Sequence, residues 1–173
     1  MGNAQFLFQK AERGGFKLNL VPALKQCGQI ISSTLIRKFI ETGNLKKAAC
    51  MLGRSVCAYG TVMHGRGRGH RIGFPTANLN LHHETLPPSG VYAAWGVCGR
   101  KKMKGIVHIG FKPTFNDKQK SIEVHFFNFR KDLYNRDVEL YFVKRLRSIK
   151  KFKDSAALIR AIKNDSRKAL NIL

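Results

Sequence analysis

From Ser55 onward the chain is broken into short runs rich in Val, Tyr, Phe and Ile, separated by Gly and Pro and with no spacer long enough for a helix. This texture belongs to antiparallel strands, because β-branched and aromatic side chains pack on a pleated surface while Gly and Pro turn the chain. Candidate strands lie at 56–63, 91–97, 103–109, 121–129 and 138–143. Five strands within about 90 residues, without crossover helices, favour a small closed barrel or a sandwich over a parallel sheet.

Helices flank this unit. Ser32 and Ser33 stand where a helix cap belongs, ahead of an apolar stripe of Leu35, Ile36, Phe39 and Ile40, with Gly43 at its end. Asn44 caps a second short helix whose apolar side is Leu45, Ala48, Ala49 and Leu52, and Gly53 closes it. At the other end Asp154 or Ser155 caps a last helix, in which Leu158, Ala161, Ile162, Ala169 and Leu170 recur at helical spacing and dock on the barrel. The first 31 residues read as a piece of something else: Gly14 and Gly15 are followed by an apolar run, 16–21, that makes one candidate strand before Pro22.

The 173 residues allow one compact domain with a small appendage, and 43% of them are hydrophobic, enough for a packed core. Lys and Arg number 32 against 10 Asp and Glu, and the net charge of +22 creates a field that draws polyanions without choosing among nucleic acid, lipid surface and nucleotide phosphate. The four cysteines never fall into a CxxC spacing, which argues against a zinc ribbon. No apolar stretch approaches the roughly 18 residues of a membrane span, and the start carries no signal-peptide core, so a cytoplasmic protein with no membrane partner is expected.

The most unusual stretch is His64-Gly65-Arg66-Gly67-Arg68-Gly69-His70-Arg71-Ile72-Gly73-Phe74-Pro75-Thr76-Ala77-Asn78, with a glycine at every second place and cations between. Glycines let backbone NH groups approach an anion closely and the arginines add charge. No Gly-Lys-Ser/Thr follows, so this is not a Walker loop, and His70 and Ile72 stand where a dinucleotide fingerprint needs glycine. Glycine and arginine alone equally suit a basic hairpin loop of the kind that touches RNA backbones. Thr76 and Asn78, two residues apart, face the same way in an extended segment and can offer two oxygens to one hard cation; a turn-stabilising pair is the plainer alternative. Magnesium held by neutral oxygens needs its negative ligands from elsewhere, and a nucleotide polyphosphate supplies them.

Glu123 lies in the candidate strand at 121–129. By alternation Ile122, Val124 and Phe126 share one face and Glu123, His125 and Phe127 the other, a mixture of carboxylate, imidazole and ring that suits a ligand-lining surface. A solvent-facing Glu is the ordinary alternative. As a catalyst it would accept a proton from an attacking hydroxyl and hold that oxygen in line with a phosphorus.

Six motifs in order, the 65–69 glycine run into Gly73-Phe74-Pro75-Thr76-Ala77-Asn78-Leu79, then Pro88-Ser89-Gly90-Val91-Tyr92-Ala93, Ile109-Gly110-Phe111-Lys112-Pro113-Thr114-Phe115, Glu123-Val124-His125-Phe126, Asp132-Leu133-Tyr134 and Leu146-Arg147 before Phe152, resemble the riboflavin kinase domain. Ahead of it, Ile31-Ser32-Ser33-Thr34-Leu35-Ile36-Arg37 and residues 48–54 resemble the end of the FMN adenylyltransferase module of bifunctional FAD synthetases. The resemblance implies a six-stranded antiparallel Greek-key barrel with a C-terminal helix at 55–173, behind a truncated module remnant at 1–54 that makes no FAD. It implies transfer of the γ-phosphoryl group of ATP to the 5'-hydroxyl of riboflavin, giving FMN and ADP. Thr76 and Asn78 would then ligate Mg²⁺ with the ATP phosphates, Glu123 would be the general base, and Gly65, Gly67, Gly69 and Arg71 would belong to a flap over the nucleotide. Tyr134 would lie near the nucleotide, and Arg147 and Phe152 near the flavin.

Four positions depart from the family pattern: Asn128 where Asp is frequent, Asn135 where Gly follows the Tyr, His108 where Asn precedes the Ile, and Ile149 where an acid is usual. Two other readings stand beside the kinase, a basic RNA-binding barrel and a flavin-binding pseudo-kinase without turnover. Phosphate-backbone binding has no use for Phe-Pro-Thr-Ala-Asn or for a strand Glu, so a nucleic-acid partner is not expected.

Overall fold

The computed structural model describes residues 4–65, 67–82, 84–111, 120–129 and 132–173, the side chain of Arg68 excepted. Two compact units result, Met1–Ile31 and Ser32–Leu173.

In the first unit, α1 (Ala4–Gly14) is followed by a minimal hairpin of β1 (Lys25–Gln26) and β2 (Gln29–Ile30), with Lys25 paired to Ile30. Its two turn residues, Cys27 and Gly28, both have positive φ, 51° and 76°, the twist that tight hairpins favour. The apolar run at 16–21 forms no strand, contrary to expectation. A strand exists only through its ladder, and in this unit the ladder runs between 25–26 and 29–30.

The second unit opens with α2 (Ser33–Glu41), whose N-cap Ser32 accepts a hydrogen bond from the Leu35 amide at 3.2 Å. Gly43 (φ 79°) turns the chain, and Asn44 caps α3 (Leu45–Leu52) by accepting from the Lys47 amide. Gly53 ends α3 in the left-handed conformation. Ile40 and Ala48 of this helix pair join the same hydrophobic cluster as Val56, Ala58 and Val138, so the pair packs on the barrel.

The strands are β3 (Cys57–Met63), β4 (Ala77–Leu81), β5 (Gly90–Cys98), β6 (Lys101–Phe111), β7 (Lys120–Phe126) and β8 (Asp137–Arg147), with the short helix α4 (Arg68–Arg71) between β3 and β4. They close in the order β3-β4-β7-β6-β5-β8, every neighbouring pair antiparallel. Three consecutive strands lie side by side and β4 returns beside β7, which is the Greek-key arrangement. Alternate residues fill the interior, among them Val62, Tyr92, Val107, Ile109, Ile122, Val124 and Leu140. The strand expected at 121–129 stops at Phe126, and Asn128 takes a positive φ of 53° in the turn that follows. Among the described residues no helix is long and apolar enough to cross a membrane.

After β8 the chain leads into α5 (Ser155–Leu170), whose cap Asp154 accepts from the Ala157 amide at 2.7 Å. Ile162 and Ala169 pack with Val91, Ala93 and Ile106 in a second apolar cluster. On the same stripe Asp165, only 3% exposed, binds the Arg147 guanidinium, Nε to Oδ2 at 2.8 Å. Truncating one partner of such a pair leaves the other charge poorly solvated. Because Arg147 keeps some contact with water, Asp165→Ala is expected to cost roughly 2–3 kcal/mol, read as a lower midpoint in urea unfolding, with Asp165→Asn costing less.

Candidate active site

Strand alternation puts Glu123 and His125 of β7 on the outward face of the barrel while Ile122, Val124 and Phe126 point in. In register, Asn78 of β4 is the partner of Glu123, Glu123 of His108, His108 of Val91, and Val91 of Arg147. A single row therefore crosses five strands and carries an amide, a carboxylate, an imidazole and a guanidinium.

A cavity of about 300 Å³ covers the middle of this row. Its walls include Glu123, His108 and His125 from the sheet, Gly69 and Phe74 from the loop after β3, Arg147 at the end of the row, Phe152 beyond it, and Asp165 from α5. A second cavity of about 260 Å³ is lined by Pro75, Ala77, Asp132, Leu133 and Tyr134. Thr76 lines both, so the two cavities adjoin at this residue.

The glycine-rich segment lies directly on the Thr-Ala-Asn element. At Gly69 a Cβ would stand 3.0 Å from Thr76 Oγ1, and at Gly65 it would run into the Asn78 amide. Glycine is required at 69, where a Cβ would also run into the Phe74 backbone carbonyl, whereas at 65 the Asn78 side chain would have to shift. Gly67 serves differently, taking φ 66° at the start of α4. The Phe74 amide donates to the Gly69 carbonyl at 2.8 Å, pinning α4 against the strand that follows. The open basic hairpin loop considered from sequence is therefore replaced by a helical turn folded back on 74–78.

His125 Nδ1 lies 2.8 Å from the Pro75 carbonyl. A carbonyl only accepts, so Nδ1 carries the proton, and the ring packs edge-on against Phe74 and Phe127. Arg147 is held on three sides: by Asp165, by the Ser148 carbonyl at 3.1 Å from Nη1, and by the Phe152 ring 5.4 Å from its Cζ. Burial pushes the His108 imidazole below its usual value of 6.5; Glu123 pulls it up and Arg147 adds to the depression. Tyr134 stacks on His64, ring centroids 3.7 Å apart. Its amide donates to Asp132 Oδ1, and Asn135 beyond it adopts φ 58°, a conformation Asn tolerates where the family pattern has Gly.

Of the residues singled out from sequence, Glu123, Thr76, Gly69, Arg147 and Phe152 meet in the larger cavity, and Thr76 and Tyr134 in the smaller. Asn78 and Gly65 touch each other beside Glu123. Gly67 and Arg71 are exposed and line neither cavity. Arg66 and the Lys112–Phe115 part of the sequence motifs, residues 112–115, lie outside the described residues. Asp165 was missed, although an acid inside the stripe Leu158, Ile162, Ala169 was a readable signal that a partner must meet it. His108 and Lys150 were missed as wall residues, because only strand register and the path of 148–152 bring them there.

Comparison with known proteins agrees with this geometry. The Flavokinase family model, described as riboflavin kinase, matches residues 52–173. The bifunctional riboflavin kinase/FMN adenylyltransferase of Bacillus subtilis (strain 168) is 37% identical over 155 residues, covering 87% of this chain and 49% of that protein. The protein of the same name from Escherichia coli (strain K12) is 35% identical over 148 residues, covering 84% and 47%. The chain thus spans about half the length of the curated relatives it matches. Among solved structures, riboflavin kinase from Trypanosoma brucei superposes with a TM-score of 0.54 at 27% identity, over 68% of this chain and 78% of that one. A protein described as a macrolide-efflux protein from Streptococcus pneumoniae superposes with a TM-score of 0.82 at 32% identity, over 98% of this chain and 55% of the other. Because the family match begins at Leu52 and runs to the last residue, taking in every strand of the barrel and α5, the chain belongs to the riboflavin kinase family.

Proposed function

We propose that this chain transfers the γ-phosphoryl group of MgATP to the 5'-hydroxyl of riboflavin, and that by itself it makes FMN and not FAD. The observation that carries this reading is the Asn78–Glu123 pair beside Thr76, the residue at which the two cavities meet. Two substrates in adjoining cavities have one place to react, and a hydroxyl, a carboxylate and an amide are grouped there.

The larger cavity takes the flavin, with Arg147 and Phe152 on its wall. The smaller takes the nucleotide beside Tyr134, with its phosphates directed to Thr76, against which Gly69 packs. Among the described residues no three His, Cys, Asp or Glu side chains converge to hold a metal. Thr76 and Asn78 suit a hard cation that draws its remaining ligands from polyphosphate, and they would hold Mg²⁺. When bound, that ion offsets charge on the phosphates. Glu123 accepts the proton of the ribityl hydroxyl as its oxygen bonds to the γ-phosphorus and the bond to the β-γ bridging oxygen breaks, leaving FMN and ADP. A ribityl hydroxyl is a weak acid, so the main contribution of Glu123 is to hold and align it. Residues 1–54 belong, on this reading, to part of an adenylyltransferase module.

Chromatography of the products after incubation with riboflavin and MgATP is expected to show FMN without FAD; FAD would overturn the reading of 1–54, and neither product from folded protein would overturn the kinase reading. Glu123→Gln should lower kcat by about 10²-fold or more with nucleotide affinity retained, since positioned acid-base groups act on that scale. Unchanged turnover would remove Glu123 from the chemistry. Asn78→Ala should weaken ATP binding only in the presence of Mg²⁺, as titration with and without the ion would reveal.

A further inference from the structure

His108 stands directly opposite Glu123 in the β6–β7 ladder, on the outward face of the sheet, and lines the larger cavity with it. Side chains facing each other in an antiparallel pair have Cβ atoms about 4.5–5.5 Å apart, within reach for an imidazole and a carboxylate. The ring lies over Gly110, where a Cβ would come 2.7 Å from His108 Cε1, so the chain is bare at the place the imidazole occupies. The titratable and charged groups sharing its cavity are Glu123 and His125 from β7, Arg147 from β8, Lys150 after it and Asp165 from α5. Asp165 is engaged by Arg147, and His125 is turned to the Pro75 carbonyl. That leaves His108 as the imidazole beside Glu123, with β7 between it and Asn78 of β4.

We propose that His108 is a positioning residue for Glu123: as a neutral imidazole it braces the carboxylate toward the substrate hydroxyl, and once protonated it binds that carboxylate as an ion pair and withdraws it as a base. The inference rests on Glu123 being the general base. Burial already favours the neutral form, with Arg147 acting in the same direction. Asn at this position would keep a polar group but has no ionisation in this range, so it removes the proposed pH dependence without removing the polarity.

Two measurements test this. The first compares kcat against pH for the wild type and His108→Asn. The wild type is expected to lose turnover on acidification below 6.5, the ordinary imidazole value. His108→Asn is expected to hold its own maximum to a pH about one unit lower. At pH 8 it should turn over roughly threefold to tenfold more slowly, with both KM values little changed. Superimposable normalised profiles would overturn the proposal while leaving the kinase intact. The second measurement, NMR titration of the His108 ring, needs no turnover: Glu123→Gln removes the charge that favours imidazolium and should lower the His108 pKa further. An identical pKa in the two proteins would overturn the coupling. A wild type inactive at every pH would instead overturn the kinase reading on which this inference rests.

Discussion

Closure of the sheet decides where a ligand can go. The β3–β8 ladder, Cys57 to Tyr141 through Thr61 to Asp137, joins the first barrel strand to the last and leaves none of the six with a free edge. A barrel this small is filled by its own side chains. Tyr92, Val107, Ile109, Ile122, Val124 and Leu140 occupy the interior and are buried. The outward strand faces therefore carry the polar groups of the larger cavity, while the smaller one also reaches interior side chains, Val62, Val124 and Phe126. The Greek-key return then matters chemically, because it brings β4 beside β7 and so sets Asn78 next to Glu123.

An outward strand face normally meets water, which screens charge and competes for every hydrogen bond. Here α5 and the segment after β8 cover part of it. The helix is held by Ile162 and Ala169 against Val91, Ala93 and Ile106, and by the Arg147–Asp165 pair. The same guanidinium packs on Phe152 and forms part of the cavity wall. Docking the helix and completing the cavity are thus one interaction, and the buried carboxylate on α5 is explained by the cation it holds.

Local chemistry was legible in the sequence where it acts over a few residues. Ser32, Asn44, Gly53 and Asp154 cap the helices as read, because each cap is a bond between residues three apart or a single left-handed backbone. Five strands were located by composition. The sixth, Ala77–Leu81, escaped the composition reading because Pro75 precedes it and its two asparagines make it resemble a turn; only its partners β3 and β7 define it as a strand. The alternation that grouped Glu123 with His125 was readable. The meeting of Glu123 with His108, or of Arg147 with Asp165, was not, since register and helix docking are set by the closed barrel rather than by any local signal.

The charge of the chain and the charge of the site differ in kind. The net charge is +22, yet the larger cavity is lined by two cations, Arg147 and Lys150, and two carboxylates, Glu123 and Asp165. Among the described residues these four charges cancel, which suits the uncharged flavin proposed for that cavity. Excess positive charge lies elsewhere on the molecule and acts at long range, where it draws polyanions of any kind; the field speeds encounter, and the lining of each cavity decides what is retained.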